Sequence, residues 1–205
     1  MAKFAVEANK AAKALSTTTT EYTNASLIYY QQGLSAEEVK ERTDVTIKMA
    51  NVSRESAEVV SDQMTAVWNN FADGSRTLEY YADVMTALGA ATASSTAEIT
   101  TGLEKFAAVA ETVGLSYEYA TTALATITDT TRQSADVVGN ALKTLFARIQ
   151  GLSLGETLED GTDLTKYSEA LAKVGIAIKE QDGSLKDMDI ILDEMANKWG
   201  TLAKD

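Results

Sequence analysis

Ser134-Ala135-Asp136-Val137-Val138-Gly139-Asn140-Ala141-Leu142-Lys143-Thr144-Leu145-Phe146 decides the fold, because the same pattern stands twice upstream. Its opening, Ser134 to Val138, matches Ser95-Thr96-Ala97-Glu98-Ile99 and Ser56-Ala57-Glu58-Val59-Val60, each start 39 residues from the next. Behind each serine the apolar residues keep the interval: Val60, Met64, Val67, Trp68 and Phe71; then Ile99, Leu103, Phe106, Ala107 and Ala110; then Val138, Leu142, Leu145, Phe146 and Ile149. Spacings of four, seven, eight and eleven from the first member describe the buried stripe of one helix.

Upstream of each stripe lies a second element, opened by Gly33-Leu34-Ser35, Gly74-Ser75 and Gly114-Leu115-Ser116. Glycine ends one helix and serine caps the next. Ser35 with Glu38, and Ser95 with Glu98, fit the capping box, in which each side chain satisfies an orphaned backbone donor. The opening helices align more loosely, with Thr43, Thr46 and Ile47 set against Val84, Ala87 and Leu88 and then Leu124, Ile127 and Thr128. A helix, a short turn and a second helix make a unit of about 40 residues, the length of helical repeat modules. That looser alignment leaves both an open solenoid and a compact closed body available.

The expected organisation is all-α with three tandem helix-pair repeats, flanking helices and one small C-terminal β-hairpin. Residues 1–32 form N-terminal helices, with the threonine-rich Ser16 to Thr20 as a polar break and hinge. Residues 33–151 hold the three repeats. Residues 152–205 cap the same domain as a loop (from Gly151 to Asp163), a helix (Thr165 to Val174), the hairpin and a terminal helix (Asp187 to Leu202). The hairpin reading rests on the alternation in Gly175-Ile176-Ala177-Ile178-Lys179 and on Asp182-Gly183, the preferred centre of a type I′ turn. In the terminal helix Met188, Ile191, Leu192, Met195 and Trp199 share a face.

Composition narrows function. The 205-residue chain has no Pro, no Cys and no His. Helices are free of their main breaker, and thiolate nucleophiles and nearly all zinc, haem and iron-sulfur ligand sets are removed. A net charge of −12 repels phosphate backbones and anionic lipid, so direct nucleic-acid binding is disfavoured. No run approaches the roughly 20 apolar residues of a membrane span, and Met1 to Leu15 lacks the apolar block of a signal peptide.

Catalytic constellations fare poorly. Glu37, Glu38 and Glu41 read as a solvated first turn opposing the helix dipole rather than as an acid/base pair. The acidic run Glu156 to Asp163 lacks the ligand order of a calcium loop. Neither S-x-x-K nor a nucleotide-binding glycine motif occurs. Trp68, Phe71, Phe106 and Phe146 read as core by their spacing. Tyr29 with Tyr30, Tyr80 with Tyr81, and Tyr117 with Tyr119 cannot all face one interior, so part of this set is expected at a wet interface or a partner. The expectation is a non-enzyme without catalytic, cofactor or metal residues.

Three stretches, in order, resemble the core region of phage tail tape measure proteins. They run from Tyr22 through Lys48-Met49-Ala50; from Ala82-Asp83-Val84-Met85 into Val113-Gly114-Leu115-Ser116-Tyr117; and from Gln133 to Ile149, followed by Leu171-Ala172-Lys173-Val174-Gly175-Ile176, Asp182-Gly183 and Lys186-Asp187-Met188-Asp189. The resemblance implies a structural protein of the virion tail lumen that meets tail tube and tail assembly proteins, with possible self-association. It also implies that such a protein sets tail length and leaves during DNA delivery. At about 1.5 Å per residue a chain of 205 residues reaches only on the order of 300 Å even as one helix. A core segment of a longer ruler is therefore expected, with a cellular helical-repeat adaptor for a protein partner as the alternative. The repeat reading predicts that Ser95→Ala, which removes a cap, lowers stability by about 1 kcal/mol in denaturant titration.

Overall fold

The computed structural model describes residues 2–154 and 165–202. Among them ten helices form: α1 (Ala2–Ala14), α2 (Thr19–Gln31), α3 (Ala36–Ser53), α4 (Ala57–Phe71), α5 (Leu78–Ala91), α6 (Thr96–Thr112), α7 (Tyr117–Thr131), α8 (Ala135–Leu154), α9 (Thr165–Lys173) and α10 (Met188–Leu202). The three repeats are the pairs α3/α4, α5/α6 and α7/α8. The serine hydroxyls start the even helices as expected: Ser56 accepts from the N–H of Val59 (3.3 Å), Ser95 from Glu98 (3.2 Å) and Ser134 from Val137 (3.4 Å). Each satisfies one donor that the first turn leaves orphaned.

A fourth unit precedes them. Thr18 caps α2 through a full capping box, accepting from the Glu21 N–H (3.1 Å) while the Glu21 carboxylate accepts from the Thr18 N–H (3.1 Å). Thr19 and Thr20, expected in a hinge, are therefore helical, and the break contracts around Ser16, whose φ is 56°. The buried face of α2 carries Tyr22, Ser26 and Tyr29 where later units carry Val60, Met64 and Val67. Polar atoms in that stripe hide the extra copy from a hydrophobicity count.

Gly33, Gly114 and Gly175 end helices with the same bonding. The residue after each glycine donates from its N–H to the carbonyl five positions back: Leu34 to Tyr29 (3.5 Å), Leu115 to Ala110 (2.9 Å) and Ile176 to Leu171 (2.9 Å). All three glycines have positive φ, the left-handed conformation that this cap demands.

Even helices α2, α4, α6 and α8 lie side by side in one layer, and α3, α5 and α7 in a second. At the N-terminal end α1 packs on α2, and Ala8 and Ala12 join a small core cluster with Tyr22, Ala25 and Ile47. Among the described residues, extensive packing links only neighbouring units, which makes the body an open stack and not a closed one. Counted back from the even-helix caps, the buried residues of the odd helices also repeat every 39 residues: Thr43, Ala82 and Thr121, and Thr46, Met85 and Leu124. The glycines drift from that interval because the α4–α5 connection, 72–77, is longer than 32–35 or 113–116.

The even helices pack closely at small residues. A Cβ on Gly139 would overlap the Gly102 carbonyl oxygen, and one on Gly102 would stand 2.8 Å from the Leu124 methyls. Both glycines are mid-helix, where they cost about 0.5–1 kcal/mol relative to Ala, and backbone proximity between α6 and α8 is what they permit.

The C-terminal expectation needs correction. No strand, and hence no β-hairpin, forms among the described residues. Lys179 and Leu185 make one isolated antiparallel bridge, and Gly183 alone takes a positive φ, whereas a type I′ turn needs two such residues. Asp182 instead closes the turn by accepting from the Ser184 N–H (2.9 Å) and hydroxyl (2.6 Å). Ile176 and Ile178, the alternating positions, are buried, and Ile178 joins the helical core; a two-stranded ribbon with no third strand has little to sustain it. Helix α8 also continues through Gly151, expected to open a loop, to Leu154.

Helix α10 docks by Met188 and Ile191, with the Met188 N–H donating to the Val113 carbonyl (3.0 Å). Two members of expected buried stripes stay outside the core: Leu145 and Trp199 are 46 % and 66 % exposed. We expect Gly139→Val to cost on the order of 1–3 kcal/mol, read from the urea midpoint, because the α6–α8 approach must open. Gly200→Ala, with open space around it, should be neutral or slightly stabilising.

Candidate functional site

The sequence candidates are dispersed by the fold. Glu37 and Glu41 are exposed on α3, and Glu38 is spent on the cap of its own helix, accepting from the Ser35 N–H (2.9 Å); the Ser35 hydroxyl and then this N–H lower its pKa. Trp68, Phe106 and Phe146 are core residues. The Trp68 indole donates to the Leu78 carbonyl (3.1 Å) and packs beneath the Arg42 guanidinium. The acidic run Glu156 to Asp163 lies outside the described residues.

Tyrosine pairs divide as their spacing required. Tyr29, Tyr81 and Tyr117 turn inward and each phenol finds a partner: Tyr29 pairs with the Thr46 hydroxyl (2.6 Å), Tyr81 donates to the Phe71 carbonyl (2.9 Å) and Tyr117 to the Tyr81 carbonyl. Burial holds all three well in the protonated range. Their neighbours turn outward. Tyr80 donates from α5 to Glu118 of α7 (2.5 Å), and Tyr119, 39 residues later, donates from α7 to Asp193 of α10 (3.3 Å). Tyr22 donates from α2 to Asp44 of α3 (2.8 Å), and Lys48 of α3 pairs with Glu79 of α5 (2.5 Å). Polar bridges thus join α3 to α5, α5 to α7 and α7 to α10 along the outer surface.

The spacing of 39 was visible for Tyr80 and Tyr119, but their acceptors were not. Glu118 keeps the period with Glu79, whereas Asp193 lies on a helix outside the repeat.

One groove, of about 500 Å³, opens where α1 stands away from α3, floored by Phe4, Ala8, Tyr22, Tyr30 and Val39. Its rim carries the Lys40–Asp44 ion pair (2.5 Å), a surface contact of small energy. Among the described residues no group of three or more acidic side chains is placed to hold a metal ion, and no helix is long and apolar enough to cross a membrane.

What the geometry defines is an open α-helical repeat protein whose elaborated polar contacts lie at the joints between units. A family model for phage-related minor tail proteins matches residues 9–205, from within α1 to the last residue. The chain belongs to that family, and its role is a structural one in the phage tail. No solved structure matches it.

One joint is incompletely satisfied. Gln63 of α4 donates to Thr101 of α6 (3.2 Å) and at 3.5 Å to Glu55, yet Gln63 Oε1 and Glu55 Oε2 are buried without partners. Burial raises the Glu55 pKa, and the nearby Glu104 adds to the shift. A raised carboxyl pKa favours folding below the unfolded-state value, and that contribution is lost as pH rises through the folded-state value. Glu55→Gln supplies an amide donor without charge, so it should stabilise by about 1 kcal/mol at pH 7. The gain should shrink toward pH 4 in paired thermal melts.

Proposed function

We propose that this chain is the core segment of a tape measure protein, which lies in the lumen of the tail tube, sets tail length during assembly and leaves as DNA is delivered. Family membership over residues 9–205 is the observation that carries this reading. The ordered resemblance from Tyr22 to Leu202 adds the specific role. In this reading the partners are tail tube and tail assembly proteins, and the chain is not an enzyme. The net charge of −12 disfavours a direct grip on DNA, which suits a protein that must clear the tube ahead of a polyanion.

Helices in contact lie 8–10 Å apart, so four stacked units advance only about 40 Å, a poor return of length per residue beside a single extended helix. The length standard itself is therefore assigned to an extended helical part of the same polypeptide, and the stack to a compact body carried with it. In-frame deletions in the extended part should shorten tails by about 1.5 Å per residue removed, measured on negatively stained particles. Tails of unchanged length after a long deletion would overturn the ruler role.

A further inference from the structure

The joint between consecutive even helices has a repeating contact. The residue eleven positions after one cap meets the residue twelve positions after the next: Tyr29 lies against Trp68, with ring centroids 6.2 Å apart, and Phe106 against Phe146, at 6.0 Å. Val67, in the same place on α4, is fully buried. At the last unit the aromatic series ends: α9 packs on α8, yet Leu145 remains 46 % exposed. Ala141, seven after the cap, is exposed too, whereas its counterparts Gln63 and Gly102 are buried under the following helix.

At the first unit the series has no predecessor. Tyr30, the counterpart of Trp68 and Phe146, is 40 % exposed, with one edge on Phe4. Leu27 is exposed at the position where Thr65, on α4, accepts from Gln32 of the unit before.

The odd row behaves alike. Asp193 accepts from Tyr119 as Glu118 accepts from Tyr80, so α10 occupies the place of the next odd helix. Its Ile190 and Trp199 are exposed, and at the opposite end of the row so is Val6 of α1. Only Val52 and Val59, among the exposed large apolar residues, lie on the middle helices. The end helices also differ in charge: α10 has Asp189, Asp193 and Glu194 against Lys198, and α1 has Lys3, Lys10 and Lys13 against Glu7.

We propose that the C-terminal end of one copy, α8 with α10, docks on the N-terminal end of a second copy, α2 with α1. Leu145 seats against Tyr30 and Leu27 of the second copy, continuing the internal joint, and acidic α10 lies beside basic α1. The contact is heterologous and leaves a free end on each side, so it builds open head-to-tail oligomers. It does not rest on the tape measure reading and stands or falls separately.

The absence of Cys makes the geometry directly testable in the 205-residue chain. Leu27→Cys and Leu145→Cys are made singly and oxidised alone and mixed. The mixture should form disulfide-linked dimers at least tenfold faster than either variant alone, and sedimentation velocity of the unmodified chain should show mass rising with concentration and falling with added salt. Leu145→Asp should weaken association at least tenfold with an unchanged thermal midpoint. A chain monomeric to millimolar concentration, or Leu145→Cys linking to itself as fast as in the mixture, overturns the proposal. So does association insensitive to Leu145→Asp.

Discussion

No helix pair in this chain can bury its own apolar stripe, and the rest of the structure follows from that shortage. An even helix has a face toward its own odd partner and another toward the next even helix; only a neighbour unit closes the second. Val67, Phe106 and Tyr29 disappear from solvent because α6, α8 and α4 lie over them. The close approach of Gly102 and Gly139 is the tightest form of the same requirement. Dispersion and apolar burial reward such proximity only when backbones can meet, and glycine is the residue that lets them.

Polar groups are fitted around this packing rather than in competition with it. Thr43, Thr100 and Thr121 on buried faces return their hydroxyls to the preceding turn, as Thr43 does to Val39 (2.6 Å), so those donors enter the core satisfied. Inner tyrosines donate to main-chain carbonyls or pair with a threonine hydroxyl, and Tyr80 and Tyr119 donate to carboxylates on the next helix of the row. The layer of odd helices, thin in apolar bulk at Ala82, Thr43 and Thr121, is tied together by these bonds. Glu55 and Gln63 form a joint where two acceptors face inward together, and the Ser94 and Thr128 hydroxyls are likewise buried without partners.

For a structural protein of the phage tail, such a body offers one kind of mechanics. Each unit is held by its neighbours, so stability is closer to a sum of joints than to a single global core. An acidic surface disfavours binding to nucleic acid. The joints are built from apolar packing and polar bridges that hold neighbouring units in register.

The serines at 56, 95 and 134 were legible from sequence because a cap is local: one hydroxyl, one amide three residues on, and no dependence on distant chain. The helix ends at Gly33 and Gly114 and the inward faces of α4 and α6 were legible for the same reason, whereas the C-cap of α4 is Ala72 rather than Gly74 and Thr77 rather than Ser75 caps α5. No cluster of reactive residues was expected, whereas the polar bridges, which join residues tens of positions apart, were beyond reach. The fourth unit stayed hidden because Tyr22, Ser26 and Tyr29 become a core face only when α4 and Thr46 are there to cover and pair with them. The alternation at Ile176 and Ile178 was read as a ribbon, but both side chains are buried and Ile178 joins the helical core. Leu145 has the sequence of a buried residue and the exposure of an end. Caps, periodicity and the choice of face were thus settled by the chain itself, while the number of units and the fate of each terminal stripe were decided by tertiary packing, since burial depends on what lies alongside.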